Sequence, residues 1–200
     1  MNIAILTFDG FNELDSFIPL GLLNRLKVLG WSAELTGPGG QVTSMNGVNV
    51  QLQRPLEWAN EADVVLFGSG LYTRAIAENS ALIDRLQLDP IRQLIGAQCS
   101  GTLLMARLGL LGDQPACTDT TTKPWVVEAG ARVIDEPFHA HGPIATAGGC
   151  LASQYLATWV MLKKAGEAAT REALAYAAPV GEKQSYVERL LAVVRQGLVG

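Results

Sequence analysis

Cys99 lies in Ala97-Gln98-Cys99-Ser100-Gly101, with small residues two before and two after it, between an apolar strand-like segment and an apolar helix-like segment. This spacing is the pattern of a sharp strand-to-helix elbow, in which larger neighbours would collide with the crossing chain and the central side chain is forced outward. Such a thiol stands at the carboxyl edge of a sheet, where open α/β sheets place their ligand crevices. At a helix amino terminus it meets the positive end of the dipole, which favours thiolate and hence nucleophilic attack. The alternative for any free cysteine is a buried structural role. Cys117 and Cys150 lack the elbow context and are read that way, although Cys150 follows Gly148-Gly149 at a helix start.

Three other groups could serve the thiol. Gly68-Ser69-Gly70 follows an apolar strand and precedes a helix, so the amides of Ser69 or Gly70, together with that of Ser100, could stabilise a developing anion. The same residues also fit a simple tight turn. Asp15, just beyond the first strand, reads either as a helix cap or as a carboxyl group that exchanges a proton with Cys99, with Glu13 as a competitor for that role. His139 and His141 alternate before Gly142-Pro143, which reads as a solvent-facing hairpin tip with no further ligand at metal spacing. No metal is expected. No third glycine completes a dinucleotide fingerprint and no Gly-Lys-Ser/Thr cradle is present, so no cofactor is expected either.

The elements that must position these residues alternate. Strands are expected over Asn2 to Phe8, Trp31 to Thr36, Val48 to Leu52, Asp63 to Phe67, Leu94 to Gln98, Arg132 to Ile134 and Ile144 to Ala147. Helices are expected from near Asp15 to Leu29, from Tyr72 through Leu88, over Thr102 to Leu108, and from Leu151 through Leu162, with helical sequence beyond. Apolar strands without polar alternation belong to a parallel sheet covered on both faces, which makes this an α/β, doubly wound domain. We divide the chain into a main domain over 1–178 and a helical extension of it over 179–200.

Composition narrows the function classes. The chain has 200 residues, of which 48% are hydrophobic, and a net charge of -4 without blocks of one sign. That is enough chain for one sizeable core and no basic footprint, so nucleic acid is not an expected partner. No apolar stretch is long and uninterrupted enough to span a bilayer, and Met1 to Phe8 carries no basic n-region or cleavage site. A cytoplasmic protein with a small-molecule substrate is expected. The three cysteines have no framework spacing and are read as free thiols.

The elbow, the acid after the first strand and the Gly-x-Gly turn occur together, and the sequence resembles the ThiJ/PfpI superfamily from Met1 to about Tyr176. The resemblance is carried by Ile3 to Gly10, Glu13 to Pro19, Val64 to Gly70 and Ala97 to Ala106. It implies a flavodoxin-like sandwich of the class I glutamine amidotransferase type, usually a homodimer, in which the elbow cysteine is hydrogen-bonded to a protonated acid. Those roles fall on Cys99 and Asp15. Leu14-Asp15 with Pro19, Gly109-Leu110-Leu111 and Thr146-Ala147-Gly148-Gly149 are similar to the isocyanide hydratase branch, which converts an isocyanide to an N-formamide. One departure bears on mechanism. Where many relatives carry a histidine after the elbow helix, this chain has Asp119 in Cys117-Thr118-Asp119-Thr120, and an anion there opposes thiolate formation. Ser100 replaces a threonine and keeps the hydroxyl. The expected activity is a Cys99-dependent hydratase or hydrolase, with a redox- or ligand-sensing protein and a glyoxalase- or deglycase-like enzyme as alternatives.

Overall fold

The computed structural model describes residues 1–199; Gly200, the last residue of the expected extension, lies outside the described residues. Strand β1 (Asn2–Leu6) is an interior strand of an eight-stranded sheet. Its side chains alternate between two cores, Ile3 and Ile5 entering one and Ala4 and Leu6 the other. Burial on both faces explains an apolar run without polar alternation.

Parallel to β1 lie β2 (Ser32–Gly37) on one side and β6 (Val64–Phe67) on the other. β6 is followed outward by β7 (Leu94–Gln98) and β9 (Ile144–Ala147), also parallel. The short β5 (Arg54–Pro55) borders β2, and β3 (Gln41–Thr43) and β4 (Asn49–Gln51) form a separate antiparallel pair. β8 (Phe138–His141) is antiparallel to β9, and β10 (Leu198–Val199) pairs with β8, giving the order β10-β8-β9-β7-β6-β1-β2-β5. The fold is a mostly parallel, flavodoxin-like α/β sandwich. The chain leaves β1 toward β2 and later returns to add β6 and β7 on the opposite side, so the sheet has a switch point at β1 and β6. Such a point opens a crevice beyond the carboxyl ends of the strands.

Helices α1 (Glu13–Leu23), α6 (Ser153–Ala177) and α7 (Lys183–Gln196) cover one face through Leu22, Leu23, Leu156, Trp159, Leu190 and Leu191. Helices α2 (Thr73–Glu78), α3 (Ser80–Ile83), α4 (Gly101–Arg107) and α5 (Lys123–Glu128) cover the other through Ala77, Ile83, Leu103, Leu104 and Val126. In α7, Val187, Leu190, Leu191 and Val194 are buried. Each such side chain contributes about 1.5–3 kcal/mol, which holds this helix against the sandwich. Among the described residues, no helix is long and apolar enough to cross a membrane.

Local chemistry moves several boundaries. The helix expected over Tyr72 to Leu88 is broken at Asn79, whose φ and ψ are -85° and 88° and whose side chain accepts from Leu82 N at 3.2 Å. Asparagine competes in this way with the helical backbone. Arg132 to Ile134 forms no strand; Ala116 clips it through bonds of 2.9 Å from Ala116 N to Arg132 O and 3.0 Å from Ile134 N to Ala116 O. The chain from Cys150 to Ala152 makes one turn of 3-10 helix before α6 begins. His139 and His141 belong to β8 rather than to the hairpin tip, which is Gly142-Pro143.

Candidate active site

β1, β6 and β7 end level with one another, since Leu6 aligns with Phe67 and Phe67 with Ala97. The segments holding Asp15, Ser69 and Cys99 therefore leave the sheet at one edge. Cys99 has φ of 53° and is the only non-glycine residue with positive φ among the described residues. Holding an L-residue there costs about 1–3 kcal/mol, which the surroundings must offset. Cys99 N donates to Ala147 O at the end of β9 at 2.9 Å, and Thr118 Oγ1 donates to Cys99 O at 2.8 Å. The small residues of the elbow have a steric cause. A Cβ at position 101 would lie 2.6 Å from the backbone oxygen of Gly68, so α4 could not approach β6 with any other residue there.

Asp15 is not the helix cap. Asn12 is, its Oδ1 accepting from Leu14 N at 3.0 Å, and α1 begins at Glu13. Asp15 is fully buried, with Ser69 Oγ donating to its Oδ2 and its Oδ1 left without a partner. Burial pushes this carboxyl up to about 7, the charge of Asp119 adds to the rise, and the bond from Ser69 opposes it. Gln98, the last residue of β7, donates from Nε2 to the backbone oxygen of Asp15. The reactive ends of two elements are thus joined directly.

Asp15 Oδ, Cys99 Sγ and Cys150 Sγ all lie within 4.8 Å of one another. Cys99 is 8% exposed. Its thiol is pushed up, first by burial and then by the charges of Asp15, Asp119 and Cys150. This corrects the expectation of a thiolate favoured by the helix dipole. α4 has 7 residues, and its positive end is set against two carboxyl groups in a poorly solvated position. Burial and these charges favour the thiol over the thiolate at Cys99.

Above Cys99 opens a cavity of about 290 Å³ lined by Asn12, Ser69, Cys99, Ser100, Asp119 and Trp125, among others. Gly70 N is already engaged, by Thr73 Oγ1 at 3.1 Å and Ser100 Oγ at 3.3 Å, and Thr73 Oγ1 and Ser100 Oγ are themselves 2.8 Å apart. Among the described residues the amides of Ser69 and Ser100 have no acceptor. They, rather than Gly70, are available to an anion in the cavity. The role of Gly70 is steric, since a Cβ there would lie 2.5 Å from the backbone oxygen of Gly10.

A family model described as the DJ-1/PfpI family matches residues 1–177. The chain belongs to the DJ-1/PfpI family. Among solved structures, a THiJ/PfpI family protein from Pseudomonas syringae superposes with a TM-score of 0.80 at 17% identity, covering 98% of this chain and 88% of that one. Drosophila melanogaster DJ-1beta gives 0.75 at 21% identity over 86% and 94% of the two chains. Schizosaccharomyces pombe DJ-1 gives 0.74 at 15% identity over 86% and 96%. At these identities the likeness is one of fold. No curated protein matches the sequence.

In this DJ-1/PfpI chain the residues singled out from sequence separate into two groups. Asp15, Ser69, Cys99, Ser100 and Asp119 converge on the cavity or its floor. Glu13 turns away, its carboxylate accepting from Ser44 Oγ and from Asn46 Nδ2 at 2.9 Å, bonds that hold its pKa low. Asp119 Oδ1 accepts from Thr121 N at 2.9 Å and Thr122 N at 3.0 Å, leaving a buried Oδ2 without a partner. Among the aromatic residues, Trp125 lines the cavity, whereas Tyr72 is exposed and Trp159 lies in the core. Sequence reasoning missed Gln98, Thr73 and Cys150. Cys150 was legible only through strand order, because β9 lies beside β7 and therefore delivers Gly148-Gly149-Cys150 to the elbow. Asp15, Cys99 and Cys150 are the one group among the described residues whose donors could together hold a metal ion, and they are of types that zinc accepts.

Proposed function

We propose that this chain is a Cys99-dependent enzyme that adds water to a small electrophile, acting as an isocyanide hydratase. The observation that carries the reading is the fully buried Asp15, with a pKa of about 7, within 4.8 Å of Cys99 Sγ. A group that titrates at the working pH can both take and return a proton.

In this reading ionised Asp15 takes the thiol proton as Cys99 Sγ bonds to the terminal carbon of the isocyanide. Protonated Asp15 returns that proton to the same carbon, giving a thioimidate. Water adds to the carbon, the carbon–sulfur bond breaks, and the N-formamide leaves with Cys99 again a thiol. The free amides of Ser69 and Ser100 stabilise charge that develops during addition and collapse. Asp119 lacks the imidazole chemistry of the histidine that stands there in many relatives, and no histidine is found among the described residues lining the cavity. Chemistry needing one thiol and one carboxyl group is therefore favoured over a glyoxalase- or deglycase-like route that employs a histidine.

The reading places the protein in the cytoplasm as a homodimer. Support for pairing comes from an apolar groove of about 640 Å³ lined by Phe17, Ile18, Leu22, Leu151 and Tyr186. The test is turnover of an aryl isocyanide, followed by formamide release. Many formamide molecules per chain are expected, with loss of turnover in Cys99→Ala at unchanged circular dichroism. Turnover retained by Cys99→Ala, or none by the wild type, overturns the assignment. Stoichiometric modification of Cys99 that alters the oligomeric state would favour the sensor instead.

A further inference from the structure

Cys150 is absent from the hydration scheme, yet its sulfur lies 4.0 Å from that of Cys99. It is held there. Asn12 Nδ2 donates to Cys150 Sγ at 3.1 Å, so the residue that caps α1 also orients this thiol toward the site. Cys150 is only half-buried and begins a single turn after Gly149, whereas Cys99 is fixed by the elbow and by two backbone hydrogen bonds. A disulfide needs the sulfurs about 2.05 Å apart, so they must close by roughly 2 Å, which requires the Cys150 side chain to turn toward Cys99.

We propose that Cys150 is the resolving thiol of Cys99, and that a hydroperoxide converts the pair into a reversible intrachain disulfide. Cys99 sulfur attacks the distal oxygen of the peroxide, whose O–O bond breaks. The alcohol or water leaves with the thiol proton and Cys99 becomes a sulfenic acid. Cys150 sulfur then attacks Cys99 sulfur, the S–O bond breaks, and hydroxide leaves as water with the proton of Cys150. Two thiols and one hydroperoxide thus give one disulfide, one alcohol and one water. A dithiol reductant restores both thiols by exchange. Without a neighbouring thiol a sulfenic acid that meets more peroxide proceeds to sulfinic acid, which such reductants do not reverse. Cys150 therefore protects the site from irreversible loss while masking the nucleophile for as long as the disulfide lasts.

The test is treatment of the reduced protein with one equivalent and then an excess of hydrogen peroxide, with intact mass and peptide mapping under non-reducing conditions. The expected wild-type product is two hydrogens lighter, contains a Cys99–Cys150 linked peptide and recovers both thiols in dithiothreitol. In Cys150→Ser, Cys99 is expected to gain two oxygens that dithiothreitol does not remove. A wild-type Cys99 that gains oxygens while Cys150 still alkylates, a disulfide to Cys117, or a pair left unmodified overturns the proposal. The measurement does not depend on any hydratase activity.

Discussion

Gln98 and Asp15 are fastened to each other, the side-chain amide of one donating to the backbone carbonyl of the other across two elements distant in sequence. The strand that ends at the thiol and the helix that carries the acid are therefore set by one bond inside the protein. Gln98 is fully buried, so its removal orphans a carbonyl that water cannot reach. Gln98→Leu is expected to destabilise the fold by about 1–3 kcal/mol. A lower urea midpoint with an unchanged slope would register this, accompanied by a fall in kcat larger than any change in KM.

Asp15 sets the expected pH dependence. Below about 7 both Asp15 and Cys99 hold their protons and no base is available, so kcat/KM should rise with pH through that value and then level. Asp15→Asn should remove the rise and most of the activity. Stability should move the opposite way. The folded pKa lies above the unfolded one, so the folded state holds the proton more tightly. The contribution of Asp15 is full below the unfolded value of 3.8 and is lost as pH rises to about 7. The wild type should lose up to about 4 kcal/mol over this window relative to Asp15→Asn, as seen in parallel melts against pH.

Asp119 raises the Cys99 thiol by its charge. Asp119→Asn keeps an oxygen for the Thr121 and Thr122 amides but removes that charge. Alkylation of Cys99 by iodoacetamide at a fixed pH should become faster, by about tenfold for each unit by which the thiol falls. An unchanged rate would show that the charge of Asp119 does not act on Cys99.

Gly101→Ala tests the elbow sterically. A methyl group 2.6 Å from the Gly68 oxygen cannot be relieved by side-chain rotation, since the Cβ position is fixed by the backbone and its partner is a backbone atom. A loss of about 2–4 kcal/mol is expected in equilibrium unfolding, together with slower alkylation of Cys99 as α4 is pushed outward.

The sequence was most readable where one residue type could satisfy the local geometry. β7 and β9 fall on the residues that apolar runs mark, and the small residues around Cys99 announce an elbow whose left-handed backbone the structure displays. Less could be read where side chains from distant segments meet. That Asn12, not Asp15, caps α1 depends on a hydrogen bond only one residue type away from the alternative. The raised Cys99 thiol depends first on burial and then on Asp15, which reaches it from α1, and Asp119, which reaches it from the segment after α4, against a helix dipole that local sequence alone favours. The role of Cys150 required knowing which strands are neighbours, information that alternation of strands and helices does not contain.

The left-handed backbone at position 99 sets utility against robustness. Glycine adopts such a conformation without the steric penalty that every other residue meets there. Cys99→Gly should therefore relieve strain that Cys99→Ala retains, yielding an inert protein sturdier than its alanine counterpart.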